Sequence, residues 1–178
     1  MCEAEMSETL YRLIRAVPDF PKAGILFRDI TPMLLDHMAL AEAVGLLAAP
    51  LRAAGVNRVV AIESRGFVLG APVAMALGAG LVLVRKPGKL PVAKHRVEYA
   101  LEYGTDVLEM HTDALRPGDK VVVLDDVLAT GGTAAAAARL VAQAGCAVAA
   151  FSFLVEIAAL GGREKLGTTP VHAVLRYD

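Results

Sequence analysis

The sequence predicts an α/β fold: a central, mostly parallel sheet flanked by helices. Three observations carry this reading. Residues 59–62, 81–84, 121–124 and 147–155 are runs of almost unbroken apolar side chains, as in strands buried on both faces. Stretches of helical character lie between most of them, and strand alternating with helix gives a sheet covered by helices on each side. The 178 residues fit one domain over 1–178, large enough to bury a core without staples. In sheets of this kind ligands sit at the carboxyl ends of the strands.

Taken in order, Leu10, Leu13, Ile14 and Val17 recur at helical spacing and predict a first helix ending before Pro18. Residues 18–32 are rich in Pro and Gly without a period, which predicts a structured loop. Asp36 is placed to cap a helix with the apolar face Leu40, Val44, Leu47 and Leu51, stopping near Gly55. A strand (59–62), a helix (67–77) and a strand (81–84) follow. Residues 85–103 differ in kind: Lys86, Lys89, Lys94, His95 and Arg96 stand among Pro87, Gly88 and Pro91, with little apolar period. This predicts a long polar loop, a feature that compact domains keep for function. A short strand (107–110), a turn at Pro117-Gly118, a strand (121–124), a helix (133–144) and a strand (147–155) come next. Gly161-Gly162 breaks the chain before a short helical piece, and a strand over 171–175 closes it.

The balance of 56% hydrophobic and 21% charged residues is globular, and a net charge of -1 gives no basis for capture of nucleic acid. The uncharged run 66–84 is long enough for a membrane span, but Gly66, Gly70, Pro72, Gly78 and Gly80 interrupt it. It reads as a buried helix and strand, so no membrane partner is expected. The acidic N-terminus (Glu3, Glu5, Glu8) is unlike a secretory signal. Two distant cysteines, Cys2 and Cys146, point to a reducing compartment, hence the cytoplasm. The four histidines lack ligand spacing, so no zinc is expected. Ser64 has Ile62 where a hydrolase elbow needs glycine.

The chemistry concentrates in VVVLDDVLATGGT, residues 121–133. A buried strand leads into Asp125 and Asp126, and the turn Ala129-Thr130-Gly131-Gly132-Thr133 leads into an Ala-rich helix. Glycines permit close backbone approach, free amides at a helix start point outward, and the threonines add hydroxyl donors. Together they form an anion cradle. The Gly-Lys-Ser/Thr ending of a Walker loop is missing. The carboxylates suit ribose hydroxyls or a divalent cation and could stabilise developing positive charge. Ser64-Arg65-Gly66 follows another strand end, where Arg65 can present a guanidinium fork to phosphate.

Residues 121–133 resemble the 5-phosphoribosyl-1-pyrophosphate motif of type I phosphoribosyltransferases. FPKAGILFRDITP (20–32), ESRGF (63–67), RKPGKLP through LEYGTD (85–106) and VEIAALGGREKLG (155–167) resemble the adenine phosphoribosyltransferases within that family. The resemblance runs from about Val17 to the C-terminus. It implies the type I phosphoribosyltransferase fold, with a small N-terminal hood at about 17–35 and a mobile loop at about 85–103. It implies transfer of the 5-phosphoribosyl group to adenine, giving AMP and pyrophosphate, with Mg²⁺ carried mainly by substrate near Asp125 and Asp126, in a homodimer. By the same resemblance Ser64, Arg65 and Lys89 contact pyrophosphate, and a non-proline cis peptide joins Glu63 to Ser64. Phe27 stacks on the base, Ile157 covers its other face, and the backbones of Leu26 and Arg28 read its amino edge. Glu102 assists proton transfer at the purine and Tyr103 helps the loop to close. The rivals are a transferase for another purine base and a regulator that senses 5-phosphoribosyl-1-pyrophosphate; a near-neutral charge and only about sixteen residues before the matched region disfavour the regulator.

Overall fold

The computed structural model describes residues 3–100 and 104–178. In chain order the elements are α1 (Glu3–Leu13), β1 (Arg15–Val17), β2 (Phe27–Asp29), α2 (Thr31–Leu35), α3 (His37–Ala53), β3 (Arg58–Ile62), α4 (Arg65–Leu77) and β4 (Gly80–Val84). They continue as β5 (Lys94–Ala100), β6 (Thr105–His111), β7 (Val121–Leu128), α5 (Gly132–Gln143) and β8 (Val148–Ile157). Two 3-10 turns (Ala158–Leu160 and Gly162–Leu166) and β9 (Val171–Tyr177) complete the chain.

Five strands form one parallel sheet in the order β4-β3-β7-β8-β9. From β3 the chain crosses through α4 to β4 on one side; from β7 it crosses through α5 to β8 on the other. The order therefore reverses between β3 and β7, and a crevice opens outside their carboxyl ends. Buried side chains fill both faces. Leu47 and Leu51 of α3 and Leu69 and Val73 of α4 pack on one face with Val59, Val122 and Leu154. On the other, Ala137, Leu140 and Val141 of α5 pack with Val60, Val123 and Phe151.

The local signals hold at several points. Asp36 Oδ1 accepts from the amides of Met38 (2.9 Å) and Ala39 (3.1 Å), capping α3. Helix α4 lies close on the sheet because Gly66 and Gly70 face it: a Cβ at Gly70 would come within 2.6 Å of Ala61 Cβ.

Three expectations are corrected. The first helix stops at Leu13, and Arg15–Val17 turns away as a strand paired antiparallel with β2, inside what reads as a loop. The described part of the expected loop, residues 85–100, is not a structureless loop: β5 pairs over its whole length with β6 as an antiparallel ribbon. Its inner residues Val97, Tyr99, Leu108 and Met110 are buried beside α5. Finally, Asp125 and Asp126 do not follow the strand. They lie within β7, which continues to Leu128 because β8 keeps pairing with it as far as Glu156.

Candidate active site

Two cavities meet at the crevice. The first, about 350 Å³, is walled by the hood (Leu26, Phe27, Arg28), by Ile157 and Leu160, and by the turn from Ala129 to Thr133. The second, about 280 Å³, is walled by Glu63, Ser64, Lys86, Tyr99 and Leu108. Arg65, Asp125, Asp126 and Thr133 line both, so the acidic pair stands at their junction.

The turn into α5 is built as an anion cradle. Gly131 sits at φ 75°, the left-handed region that glycine enters without steric cost, and precedes the first turn of a 12-residue helix. A Cβ there would overlap the carbonyl oxygen of Gly162, so the position is closed to side chains on two counts.

Asp126 is buried and accepts a short hydrogen bond from Arg65 Nε. Asp125 Oδ1 accepts from the Asp126 amide at 2.9 Å. Burial, reinforced by the neighbouring Asp126 charge, pushes the Asp125 carboxyl well above the usual carboxylate range. A cationic partner at the junction would relieve that cost. The Arg65 guanidinium also lies 5.1 Å from the centre of the Phe27 ring, so Arg65 bridges hood and acidic pair. Phe27 meets Phe20 edge-on at 5.2 Å, and Arg28 stacks on Tyr177 at 3.8 Å, tying the hood to β9.

Glu63, before a cis peptide to Ser64 as expected, organises the second cavity. Its carboxylate accepts from Arg85 Nε (3.2 Å) and Nη2 (3.0 Å) and from the Lys86 amide (3.0 Å). The Arg85 hydrogen bonds, ahead of the Lys86 amide, hold it below the usual range. Lys86 pairs with Asp106, and the Tyr99 hydroxyl lies 3.4 Å from both Asp106 Oδ2 and Thr133 Oγ1.

The structure thus brings together Leu26, Phe27, Arg28, Ser64, Arg65, Asp125, Asp126, Ala129, Thr130, Gly131, Gly132, Thr133 and Ile157. It does not bring Lys89 to either cavity: that side chain is exposed, and the lysine on the cavity wall is Lys86. Glu102 and Tyr103 lie outside the described residues. Sequence reasoning passed over Glu63 as a ligand of the loop and Tyr99 as a wall. Only Tyr99 left a signal, the alternation of Val97 and Tyr99 along β5. Among the described residues no three His, Cys, Asp or Glu side chains converge as a metal site, and no helix is long and apolar enough to cross a membrane.

Comparison with known proteins agrees with this geometry. The phosphoribosyl transferase domain family matches residues 31–169. An adenine phosphoribosyltransferase of Nocardioides sp. is 57% identical over 174 residues, 96% of this chain and 94% of the relative. The crystal structure of adenine phosphoribosyltransferase from Rhodothermus marinus superposes with a TM-score of 0.93 at 51% identity, covering 98% of this chain and 99% of that one. The Saccharomyces cerevisiae enzyme, solved with adenine and an imino-altritol bisphosphate, gives 0.92 at 37% identity, covering 97% and 99%. A two-cavity crevice at the switch point, an anion cradle and this likeness along nearly the whole chain lead to one statement: the chain belongs to the adenine phosphoribosyltransferase family.

Proposed function

We infer that this chain transfers the 5-phosphoribosyl group from 5-phosphoribosyl-1-pyrophosphate to adenine, giving AMP and pyrophosphate. The observation that carries the reading is the junction of two cavities at Asp125 and Asp126. One cavity offers an apolar slot and an anion cradle; the other offers Ser64, Arg65 and Lys86. A sugar lying across the junction has its 5′-phosphate on the amides of 130–133 and its hydroxyls on the carboxylates. C1 then faces the base on one side and pyrophosphate on the other. Positive charge developing on the ribosyl ring meets a fixed anionic environment, which lowers the barrier without reorganisation.

In this scheme adenine sits between Phe27 and Ile157, and the backbones of Leu26 and Arg28 read its amino edge. Arg65 and Ser64 take the pyrophosphate, joined by Lys86 and by Lys89 once the turn that carries it closes. Glu102 handles the purine proton and Tyr103 completes closure. Mg²⁺ is the cofactor we assign, and when bound it neutralises charge on the leaving group. The donor set fits an ion held mainly by substrate oxygens, because both Asp125 and Asp126 already have partners within the chain.

We place the reaction in the cytoplasm and the working form as a homodimer. Apolar side chains left exposed on α4 (Val68, Met75) and on edge strand β4 (Leu81, Leu83) support the dimer, and sedimentation tests it. The activity is tested by formation of the corresponding nucleoside 5′-monophosphate from adenine, hypoxanthine, guanine and xanthine in turn, with and without Mg²⁺. AMP from adenine in the presence of Mg²⁺ is the expected result; none under that condition refutes the reading.

A further inference from the structure

Between the base wall and the cradle runs a segment that lines the first cavity only through the apolar residues Ile157 and Leu160, yet packs against the cradle from beneath. It starts at Glu156 in β8, leaves the strand after Ile157, passes through the 3-10 turn that carries Leu160, and turns at Gly161, whose φ is 62°. Gly162 is buried directly beneath the cradle: a Cβ on it would overlap the carbonyl oxygen of Ala129 and reach Leu128 Cδ1 at 2.9 Å. A Cβ on Gly131 would overlap the Gly162 carbonyl oxygen in turn. Backbone therefore rests on backbone, and a small shift at Gly162 has to move the cradle.

The next residue returns the segment to its origin. Arg163 Nε donates to Glu156 Oε1 at 2.6 Å and Nη2 to Oε2 at 2.7 Å, a planar fork on a planar carboxylate. Its Nη1 donates to the Val171 carbonyl at 2.9 Å. The Glu156 side chain is only 5% exposed, whereas that of Arg163 is 43% exposed. Across the sheet Glu156 is paired in register with Arg176 on β9, a second cation beside it. Neither Glu156 nor Arg163 lines the two cavities of the site.

We propose that the Glu156–Arg163 pair is a positioning clasp: it holds Gly162 against Ala129 and Gly131, and so fixes the cradle amides and Ile157 in one frame. The proposal rests on the function inferred above. Both residues are positioning residues, since neither lines the cavities assigned to substrate. A fixed frame matters because displacing a binding group by about 1 Å can cost on the order of 100-fold in rate.

The test separates positioning from mere support. Arg163→Met breaks the fork, Arg163→Lys leaves a point charge, and Glu156→Gln keeps the shape without the charge. The double variant Glu156→Leu with Arg163→Met replaces the pair by apolar groups, an exchange that often preserves stability. For each folded variant, KM for 5-phosphoribosyl-1-pyrophosphate, kcat, thermal midpoint and amide exchange at 130–133 are measured. We expect KM to rise about tenfold in Arg163→Met with a smaller change in kcat, and Lys to restore it only in part. Exchange at 130–133 should quicken while β3 and α4 stay protected. In the double variant KM should stay high even where the midpoint recovers. Unchanged KM and unchanged exchange in the folded variants overturn the clasp, as does KM that simply follows the midpoint. The exchange readout needs no activity, and the unsubstituted protein's AMP formation separately judges the function, so the two failures are distinguishable.

Discussion

The five-stranded sheet and the two small sheets beside it divide the site between them. The cradle and the acidic pair stand on β7 and α5 in the middle of the large sheet, among residues such as Val123, Leu124 and Ala137 that solvent does not reach. The hood stands on β1–β2, three residue pairs long, and the ribbon on β5–β6. A two-stranded sheet is marginally stable unless packed on something else. The ribbon buries one face beside α5, yet alternate residues along β5 remain exposed. Hood residues Phe20, Ile25 and Leu26 are 51%, 43% and 47% exposed. The difference suggests a division of labour. In the function proposed above, the part assigned to phosphate and charge is deeply buried, and the parts assigned to base choice and to closure over pyrophosphate sit on shallow elements, where local opening costs less.

The strongest way to break this comparison is at its fixed centre. Asp125→Asn and Asp126→Asn should each lower kcat by about 10²–10³, as loss of a preorganised electrostatic contact does, with a retained circular dichroism spectrum. Near-normal turnover in both would remove the acidic pair from the chemistry. Asp126→Asn should also free Arg65 from its buried partner, so its KM for 5-phosphoribosyl-1-pyrophosphate should change as well.

The shallow elements supply the next test. Glu102→Gln should lower kcat by about 100-fold if that carboxyl moves the purine proton. Hydrogen exchange over residues 85–111, with and without 5-phosphoribosyl-1-pyrophosphate, Mg²⁺ and an unreactive base analogue, locates the moving part. Since Val97, Tyr99, Leu108 and Met110 are buried, slowing on ligand binding is expected at the tip around Gly104 and at the turn carrying Lys86 and Lys89. Equal strong protection throughout would make the ribbon a fixed wall.

The same contrast explains how much could be read from the residues. β3, the first half of β7 and most of β8 were legible because stretches buried on both faces carry almost only apolar side chains, and α3 because Asp36 is a strong cap. The cradle was legible because acid pair, glycines and threonines are contiguous in sequence. β1 was not: Val17 continues the helical spacing of Leu10, Leu13 and Ile14, and only its distant partner Phe27 makes it a strand. β5 was hidden by Lys94, Arg96 and Glu98, which face out of a ribbon covered on one side only, and by the half-buried polar His95 on the face of Val97 and Tyr99. Lys86 and Lys89 are three residues apart in one Pro/Gly turn, and no local pattern says which faces the cavity. Long-range pairing, absent from any short window, made these differences.

Selectivity should show a smaller effect. If the backbones of Leu26 and Arg28 read the amino edge of adenine, hypoxanthine presents a carbonyl there and leaves an acceptor unpaired. The loss is about 1–3 kcal/mol, or roughly 5- to 150-fold in kcat/KM. Equal kcat/KM for the two bases would take base choice away from the hood.

The smallest effect concerns what anchors the hood. Asp29, at the end of β2, accepts from the Thr31 hydroxyl (2.5 Å) and amide (2.9 Å), and from Arg15 on β1 (2.5 and 3.0 Å). These bonds, Thr31 foremost, hold its carboxyl at about 2 against an ordinary 3.8. A carboxyl with a depressed folded value contributes stability that is fully present above the unfolded value. The contribution is lost as pH falls through the folded value, here from about 4 down to about 2. Glu63 and Glu156 are also depressed, so acid lability of the whole protein would not isolate Asp29. The difference between the protein and Asp29→Asn does, because asparagine cannot titrate. At pH 6 the unsubstituted protein should be more stable by about 1 kcal/mol, a modest figure because Arg15 is largely exposed and screened by solvent. That margin should shrink below pH 4 and vanish near pH 2, if both chains still unfold reversibly there. A margin independent of pH would mean that Asp29 acts by shape alone, and that its charge does not anchor the hood.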